Sequence, residues 1–200
     1  MQVIHKHSNS PLVISIPHSG TDIPQDIAPL CNQTSKREHT DWALPELVAP
    51  LLETTLVATV SRYIVDVNRF KPRTRKATQP IIPRIDEVGN QLFNNYPSKQ
   101  KQADWLKRYY MPYYHHLENL LHQKLEQYFK VLLIDLHSYD DQLFQTSDII
   151  IGTRRKQTLS EELLEQLQTL FHEEGLSTRV DTPFSGGNII ATLGKQERIE

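Results

Sequence analysis

The 200-residue chain lacks several features that would assign it quickly to a class. It has a single cysteine, Cys31, which excludes an internal disulfide framework and a CxxC zinc ribbon. No apolar run approaches the roughly 20 residues that a membrane-spanning helix needs. The first ten residues also lack the apolar stretch that is typical of a secretory signal. We therefore expect a cytoplasmic protein with no membrane partner.

An excess of charge of one sign is also missing. The 22 Lys and Arg residues against 24 Asp and Glu residues give a formal net charge of −2, so no global field would gather nucleic acid or anionic lipid. The HExxH, GxSxG, P-loop and GxGxxG motifs are absent, which removes the common zincin, α/β-hydrolase, P-loop and dinucleotide-binding signatures. The length predicts one domain over residues 1–200.

What is present is an alternation of strands and helices. Short apolar runs rich in β-branched residues predict strands over residues 12–17, 55–60, 63–67, 131–136, 148–151, 177–180 and 188–191. Helices are predicted over 40–52, 101–129 and 159–173, and a long irregular loop over 70–97. The alternation predicts an α/β layered sheet, in which active sites collect beyond the carboxyl ends of the strands.

Two histidines stand at the ends of the clearest predicted strands. His18 follows the run at 12–17, and His137 follows the run at 131–136. Imidazole nitrogen is a common zinc ligand, and a catalytic zinc usually has three protein ligands, so a carboxylate should complete the pair. Asp41, Asp22 and Asp135 are the candidates, although Asp22 would also suit a turn and Asp135 would also suit orienting an imidazole. The spacing leaves the choice open.

Positive charge is concentrated around the third predicted strand and the irregular loop that follows it. The residues are Arg62, Arg69, Lys71, Arg73, Arg75, Lys76 and Arg84. The planar guanidinium fork suits carboxylates, so Asn68 and Arg69, which directly follow this strand, predict an acidic substrate held beside a metal at the strand ends. The alternative interpretation of the cluster, above all of residues 73–76, is solvated loop surface.

A second group of possible ligands lies within the long predicted helix. His115, Glu118 and His122 are spaced by three and four residues and so share one helix face, a geometry that can bind a metal ion. No complementary ligand is apparent, and the helix has its own apolar set. We interpret these three residues as a solvated polar face.

Five short motifs in order resemble the N-formylglutamate amidohydrolase family. They are Pro17-His18-Ser19-Gly20, Thr40-Asp41-Trp42, the run from Arg62 to Arg69, Asp135-Leu136-His137-Ser138, and Gly186-Gly187-Asn188-Ile189-Ile190. The resemblance extends from about residue 11 to residue 200. It implies a Zn²⁺-dependent enzyme that hydrolyses N-formyl-L-glutamate to formate and L-glutamate during histidine breakdown. It also implies a three-layer α/β/α fold of the phosphorylase/hydrolase-like type, with a mostly parallel mixed sheet, related to zinc carboxypeptidases.

The resemblance implies roles for individual residues. The implied metal ligands are His18, Asp41 and His137; the implied substrate-binding residues are Arg62, Asn68, Arg69, Gly186 and Gly187. The family pattern continues past the glycine pair with a strand that carries the general-base glutamate and then a closing helix. We therefore expect the domain over 1–200 to lack that strand and helix, and Glu200 to be a poor substitute for the catalytic residue.

Two other functions stay open on the sequence. One is a zinc deacylase or amidase that acts on another N-acyl amino acid or on a cell-wall peptide. The other is a catalytically impaired domain that binds an anionic metabolite in the same pocket.

Overall fold

The structure is a computed structural model that describes residues 2–4 (backbone only), 8–34, 39–70, 80–140 and 147–200. The strands are β1 (Gln2–Ile4), β2 (Leu12–Ile16), β3 (Thr54–Val57), β4 (Leu132–Asp135), β5 (Ile149–Ile151) and β6 (Thr178–Val180). The α-helices are α1 (Leu44–Val48), α2 (Lys99–Trp105), α3 (Met111–Leu125), α4 (Glu161–Glu173) and α5 (Asn188–Leu193). A π-helical turn, Leu106–Tyr110, joins α2 to α3.

The main sheet has four strands in the order β1-β3-β2-β4. Strand β2 pairs in parallel with both β3 and β4, and β1 is antiparallel to β3. Strands β5 and β6 form a separate parallel pair. A strand that is paired on both sides and covered by helices on both faces is typically a nearly continuous apolar run, and Leu12–Ile16 has this composition. The predicted α/β fold with a mostly parallel sheet is confirmed.

The two faces of the sheet carry separate apolar clusters, because side chains alternate along a strand. Val13, Leu56 and Leu133 belong to the larger cluster, which also contains residues of α3 and α5. Ile14 and Ile16 belong to the smaller cluster, which includes two residues of α1. The helices therefore fix the sheet from both faces, and the carboxyl ends of β2 and β4 are held in register.

The predicted strand over residues 63–67 is wrong. These residues form turns after β3, in which the N–H groups of Ile64 and Val65 donate to the carbonyl of Ser61 at 2.9 and 3.3 Å. Their β-branched and aromatic side chains are buried in the larger cluster, and burial alone produced the strand-like composition. The turns bring Asp66 and Asn68 back toward the end of β2, where a straight strand would have carried them past it.

The predicted strand over residues 188–191 is also wrong, since these residues begin α5. Ile189 and Leu193 are both fully buried and lie four residues apart, which is about one helical turn.

The helix predicted over 40–52 is reduced to α1 and a 3₁₀ turn, Ala49–Leu51. The helix predicted over 101–129 corresponds to α2, the π-helical turn and α3, and the one over 159–173 corresponds to α4.

The last residues pair with the start of β4. Ile199 and Val131 form a parallel bridge, and the carboxylate of Glu200 contacts Lys130 at 2.5 Å and Ser160 at 2.8 Å. Strand β4 runs from this end toward His137, and its four residues alone, Leu132–Asp135, span about 10 Å from the first Cα to the last. Glu200 and His137 therefore lie at opposite ends of β4.

Of the helices described, none is both long and apolar enough to cross a membrane.

Candidate metal centre

The two strand-end histidines lie side by side. His18 follows β2 and His137 follows β4, and because these strands are parallel neighbours, both side chains reach the same edge of the sheet. The centroids of their rings are 4.8 Å apart. The backbone N–H of Asp41 donates to the carbonyl of His18 at 3.0 Å, which attaches the segment before α1 to the end of β2.

The structure distinguishes among the three carboxylates that the sequence left open. Potential ligand atoms of His18, Asp41 and His137 all lie within 4.8 Å of one another. Asp41 Oδ2 is 3.2 Å from His137 Nδ1 and 3.9 Å from His18 Nδ1. Asp22 instead pairs through its backbone with Thr59 and Ser61, beside the end of β3.

Each of the three candidate ligands has its other polar atom occupied by a separate partner. His18 Nε2 is 2.8 Å from Asp66 Oδ1, and His137 Nε2 is 3.2 Å from Asp135 Oδ2. Ser138 Oγ donates to Asp41 Oδ1 at 2.6 Å. Metal-ligating histidines are usually oriented by a carboxylate on the second ring nitrogen. The two Nδ1 atoms and Asp41 Oδ2 are thereby left facing one another, so this group fits a metal ion.

Neighbouring donors keep the carboxylate of Asp41 ionised. Burial alone would raise the pKa of Asp41, but hydrogen bonds from His137 and Ser138 outweigh it and hold the pKa below its ordinary value. Burial lowers the pKa of His18. Burial also opposes protonation of His137, yet the carboxylates of Asp135 and Asp41 raise its pKa to about 10. These carboxylates favour positive charge between them, whether a proton or a metal ion supplies it.

Asp66 joins the histidine side of the site to the arginines. Its Oδ2 accepts from Arg62 at 3.0 Å and from Arg69 at 3.2 Å, while its Oδ1 faces His18. Although burial opposes it, contact with His18 and the two arginines holds the pKa of Asp66 well below its usual range. Arg62 Nη1 also lies 3.1 Å from His18 Nδ1, so one guanidinium borders the metal-facing atoms directly.

Asn68 is a buried connection between the turn after β3 and the cluster. Its Nδ2 donates to Asp135 Oδ2 at 2.7 Å and lies 2.9 Å from His137 Nε2, while its Oδ1 accepts from the N–H of Ile189 at 3.0 Å. A Cβ atom on Gly187 would come within 2.3 Å of this amide. Only glycine at position 187 therefore allows α5 to approach Asn68 so closely.

The remaining predicted site residues are dispersed. Lys71, Arg73, Arg75 and Lys76 lie outside the described residues, and the guanidinium of Arg84 stacks on Tyr96, 3.7 Å from its ring centroid. On α3, His115 and His122 are exposed, and the one potential metal-binding group among the described residues is His18, Asp41 and His137.

Sequence reasoning gave no role to two residues near the site. Asp66 lies inside the motif from Arg62 to Arg69, and its position between these two arginines could have indicated a charge pair. Arg154 contacts the carbonyl of Gly186 and lies near the ring of Phe70. Its position after the short strand β5 was the only feature of the sequence that could have pointed to it.

Comparisons with known proteins identify the family of the chain. The sequence model of the N-formylglutamate amidohydrolase family matches residues 10–200. The chain belongs to the N-formylglutamate amidohydrolase family. It is 30% identical to an N-formylglutamate deformylase of Pseudomonas aeruginosa, over 96% of this chain and 78% of that protein. Membership in this family makes the chain a hydrolase that acts on amide bonds.

Two solved structures have the same fold as this family member. The N-formylglutamate amidohydrolase of Ralstonia eutropha superposes with a TM-score of 0.77 at 22% identity, covering 99% of this chain and 83% of that one. A protein of Agrobacterium tumefaciens superposes with a TM-score of 0.70 at 16% identity, covering 92% of this chain and 73% of that one.

Proposed function

We propose that this chain is a Zn²⁺-dependent amidohydrolase that cleaves N-formyl-L-glutamate into formate and L-glutamate, the reaction of histidine breakdown that the family resemblance implies. The observation that carries the proposal is the convergence of His18, Asp41 and His137, each with its second polar atom held by a separate partner. Two imidazoles and a carboxylate are a ligand set typical of catalytic zinc. The substrate comes from the family and from the deformylase of Pseudomonas aeruginosa.

The proposed work of the protein is to hold the metal and to orient its ligands. When bound, zinc would polarise the formyl carbonyl and lower the pKa of a bound water to about 7. Asp66 and Asp135 fix the ring orientations of His18 and His137, and Ser138 fixes the carboxylate of Asp41. These contacts keep the ligand atoms pre-oriented, so loading requires the Arg62 guanidinium to leave His18 Nδ1 but no reorientation of the ligands themselves.

Substrate binding is assigned to the arginine side of the site. His18 Nδ1 cannot bind Arg62 and a metal ion together, so loading would free an Arg62 donor for a substrate oxygen. Arg69, with 37% of its side chain exposed, is open to a carboxylate of the substrate. Asn68 and the backbone of Gly186 and Gly187 complete the proposed lining, although the amide of Asn68 is already engaged by Asp135 and Ile189.

Three further points belong to the proposal. The apolar clusters on both sheet faces support a three-layer α/β/α arrangement. One domain over residues 1–200 and a relation to zinc carboxypeptidases follow from the length and the family resemblance and stay predictions. A small acidic substrate follows from the family. A cytoplasmic location and a general-base glutamate after Glu200 stay predictions.

One observation favours a second candidate, an anionic-metabolite-binding domain with impaired catalysis. The carboxylates that contact the candidate ligands or belong to them are Asp41, Asp66 and Asp135, among the residues described. Both oxygens of each carboxylate already have a hydrogen-bond partner, so none of the three is left unengaged as a base for water. Binding without turnover would be the result of that arrangement.

The test combines metal analysis with formate release. We expect about one zinc per chain after reconstitution and formate release from N-formyl-L-glutamate that a chelator abolishes and added zinc restores. Zinc and substrate binding without formate would favour the second candidate. Faster turnover of N-acetyl-L-glutamate would point to another deacylase, and absence of bound zinc would overturn the metal-centre proposal.

A further inference from the structure

A tight turn follows β5, next to the glycine pair. Arg154, Arg155 and Lys156 all have left-handed backbone conformations, with φ of 52°, 59° and 62°. Such a run is sterically unfavourable for residues with a Cβ atom and persists only where the surroundings impose it. The carboxylate of Asp181 imposes it here, because it accepts from the Thr153 N–H at 2.7 Å, the Thr153 hydroxyl at 2.7 Å and the Arg155 N–H at 2.8 Å.

This turn places the Arg154 side chain against the lining of the site. Its Nη1 donates to the carbonyl of Gly186 at 3.0 Å, and its backbone N–H donates to the carbonyl of Ser185 at 2.9 Å. The guanidinium carbon is 5.8 Å from the ring centroid of Phe70, the residue after Arg69. Gly187, one residue after the Arg154 contact, touches Asn68, whose amide lies against His137.

The charge environment of Arg154 differs from that of the other arginines beside the site. Arg62 and Arg69 both pair with Asp66. In the described part of the chain, no carboxylate pairs with the Arg154 guanidinium, and its Nε is buried without a hydrogen bond. A half-buried guanidinium with five donors, one of them used by Gly186, has capacity left for an anionic ligand.

The proposed substrate has two negative charges, which fits one paired group of arginines and one arginine without a carboxylate partner within the described ranges. N-formyl-L-glutamate has two carboxylates. Two arginines that share Asp66 carry a combined charge of about +1, which balances one carboxylate. The second carboxylate needs another cation on the rim of the same site.

We infer that Arg154 binds the side-chain carboxylate of the substrate and so selects glutamate-like over glutamine-like acyl amino acids. The inference rests on the proposed function and deepens it by naming the residue that sets side-chain specificity. Arg155, the next residue on the same turn, is exposed and provides a matched control.

The first test compares two substrates of equal size that differ in one charge. We expect Arg154→Met to lower kcat/KM for N-formyl-L-glutamate by about 100-fold, the loss typical of charge-assisted hydrogen bonds. The value for N-formyl-L-glutamine should stay within about threefold, and Arg155→Met should preserve the wild-type preference. The ratio of the two values does not depend on how much of a variant is folded. An unchanged ratio in Arg154→Met would overturn the inference.

The second test does not need turnover. Calorimetric titration of the zinc-loaded protein with L-glutamate and L-glutamine should show a preference for glutamate that Arg154→Met loses and Arg155→Met keeps. This result would support the inference even if no formyl amide were hydrolysed, in which case the proposed function alone would fail. A wild-type protein that binds both amino acids equally, or a preference that survives in Arg154→Met, would overturn the inference while leaving the hydrolysis result intact.

Discussion

The molecule contains two groups of histidines that look equally suited to bind a metal ion when they are judged from the sequence alone. His115 and His122 share a face of α3 with Glu118, at regular helical spacing. His18 and His137 are 119 residues apart in the chain, yet their ring centroids are 4.8 Å apart at the ends of parallel strands. The strand-end pair forms a potential metal-binding group with Asp41, whereas the helix pair is exposed.

The difference lies in what surrounds the ligands. A helix can bring two side chains to one face, but a metal centre also needs ligands and orienting groups from other segments. At the strand ends, Asp66 comes from the turns after β3 and faces His18, whereas Asp135 is the last residue of β4 and faces His137, two residues further along. On α3, His115 lies 3.2 Å from Asn119 on the same helix face and beside the ring of its neighbour His116, with no carboxylate from another segment among the described contacts. Spacing alone is therefore a weaker indicator of a metal centre than convergence of separate segments.

The largest effect should come from removing a strand-end imidazole. We expect His18→Ala and His137→Ala each to lose bound zinc and to lower kcat/KM for N-formyl-L-glutamate by at least about 1,000-fold, since two ligands no longer hold a catalytic metal. His115→Ala and His122→Ala are the matched controls and should keep both zinc and activity. Elemental analysis and formate release measure these outcomes, and zinc loss in a helix variant would reverse the comparison.

A smaller effect is expected from the orienting carboxylates. Asp66→Asn and Asp135→Asn keep the size of the side chain but remove the charge that faces an imidazole. Zinc affinity should fall by about 10-fold to 100-fold. Glu118→Gln on α3 makes the same chemical change outside the site and should leave zinc affinity unaltered. Competition with a chromogenic chelator gives the affinities; equal values for all three variants would show that the outer contacts do not tune the site.

Gly187→Ala tests the close approach of α5 to the cluster. The added Cβ would lie within 2.3 Å of the Asn68 amide, so Asn68 must move away from Asp135 and His137. We expect activity to fall by about 10-fold and stability by about 1–3 kcal/mol. Gly175→Ala, where no atom lies within 4 Å but φ is +77°, should cost stability through backbone strain and spare activity. Thermal unfolding and formate release separate the two effects.

The smallest effect is expected at Glu200. Its carboxylate contacts Lys130 and Ser160 at the end of β4 opposite His137, so Glu200→Gln should leave kcat/KM within about twofold. Hydrogen bonding and charge hold the pKa of Glu200 below its ordinary value. Its small contribution to stability is therefore present above the unfolded pKa and is lost as pH falls through the folded pKa. A large loss of activity in Glu200→Gln would place a catalytic carboxylate where the structure shows a surface contact.

Prediction from the sequence was correct where an apolar run ends directly at a polar residue. Leu12–Ile16 and Leu132–Asp135 are strands because apolar runs end abruptly at polar residues, and the same pattern located His18 and His137. It failed at residues 63–67 and 188–191, where buried β-branched side chains lie in turns and in a helix. Burial selects the same residue types in all three environments, so composition cannot separate them.

The strands that carry the two histidines, the near-neutral charge and the motifs of the family can all be recognised from the amino-acid sequence. The aspartate that joins the histidines is set by the three-dimensional arrangement, since spacing along the chain does not choose among Asp22, Asp41 and Asp135. That arrangement places Asp41 beside both rings, Asp135 behind one of them and Asp22 at another strand end. It also leaves Arg154 without a carboxylate partner among the described residues while Arg62 and Arg69 share Asp66. The physical reason is that these roles depend on distances between segments far apart in sequence, which chain folding sets and local pattern does not encode.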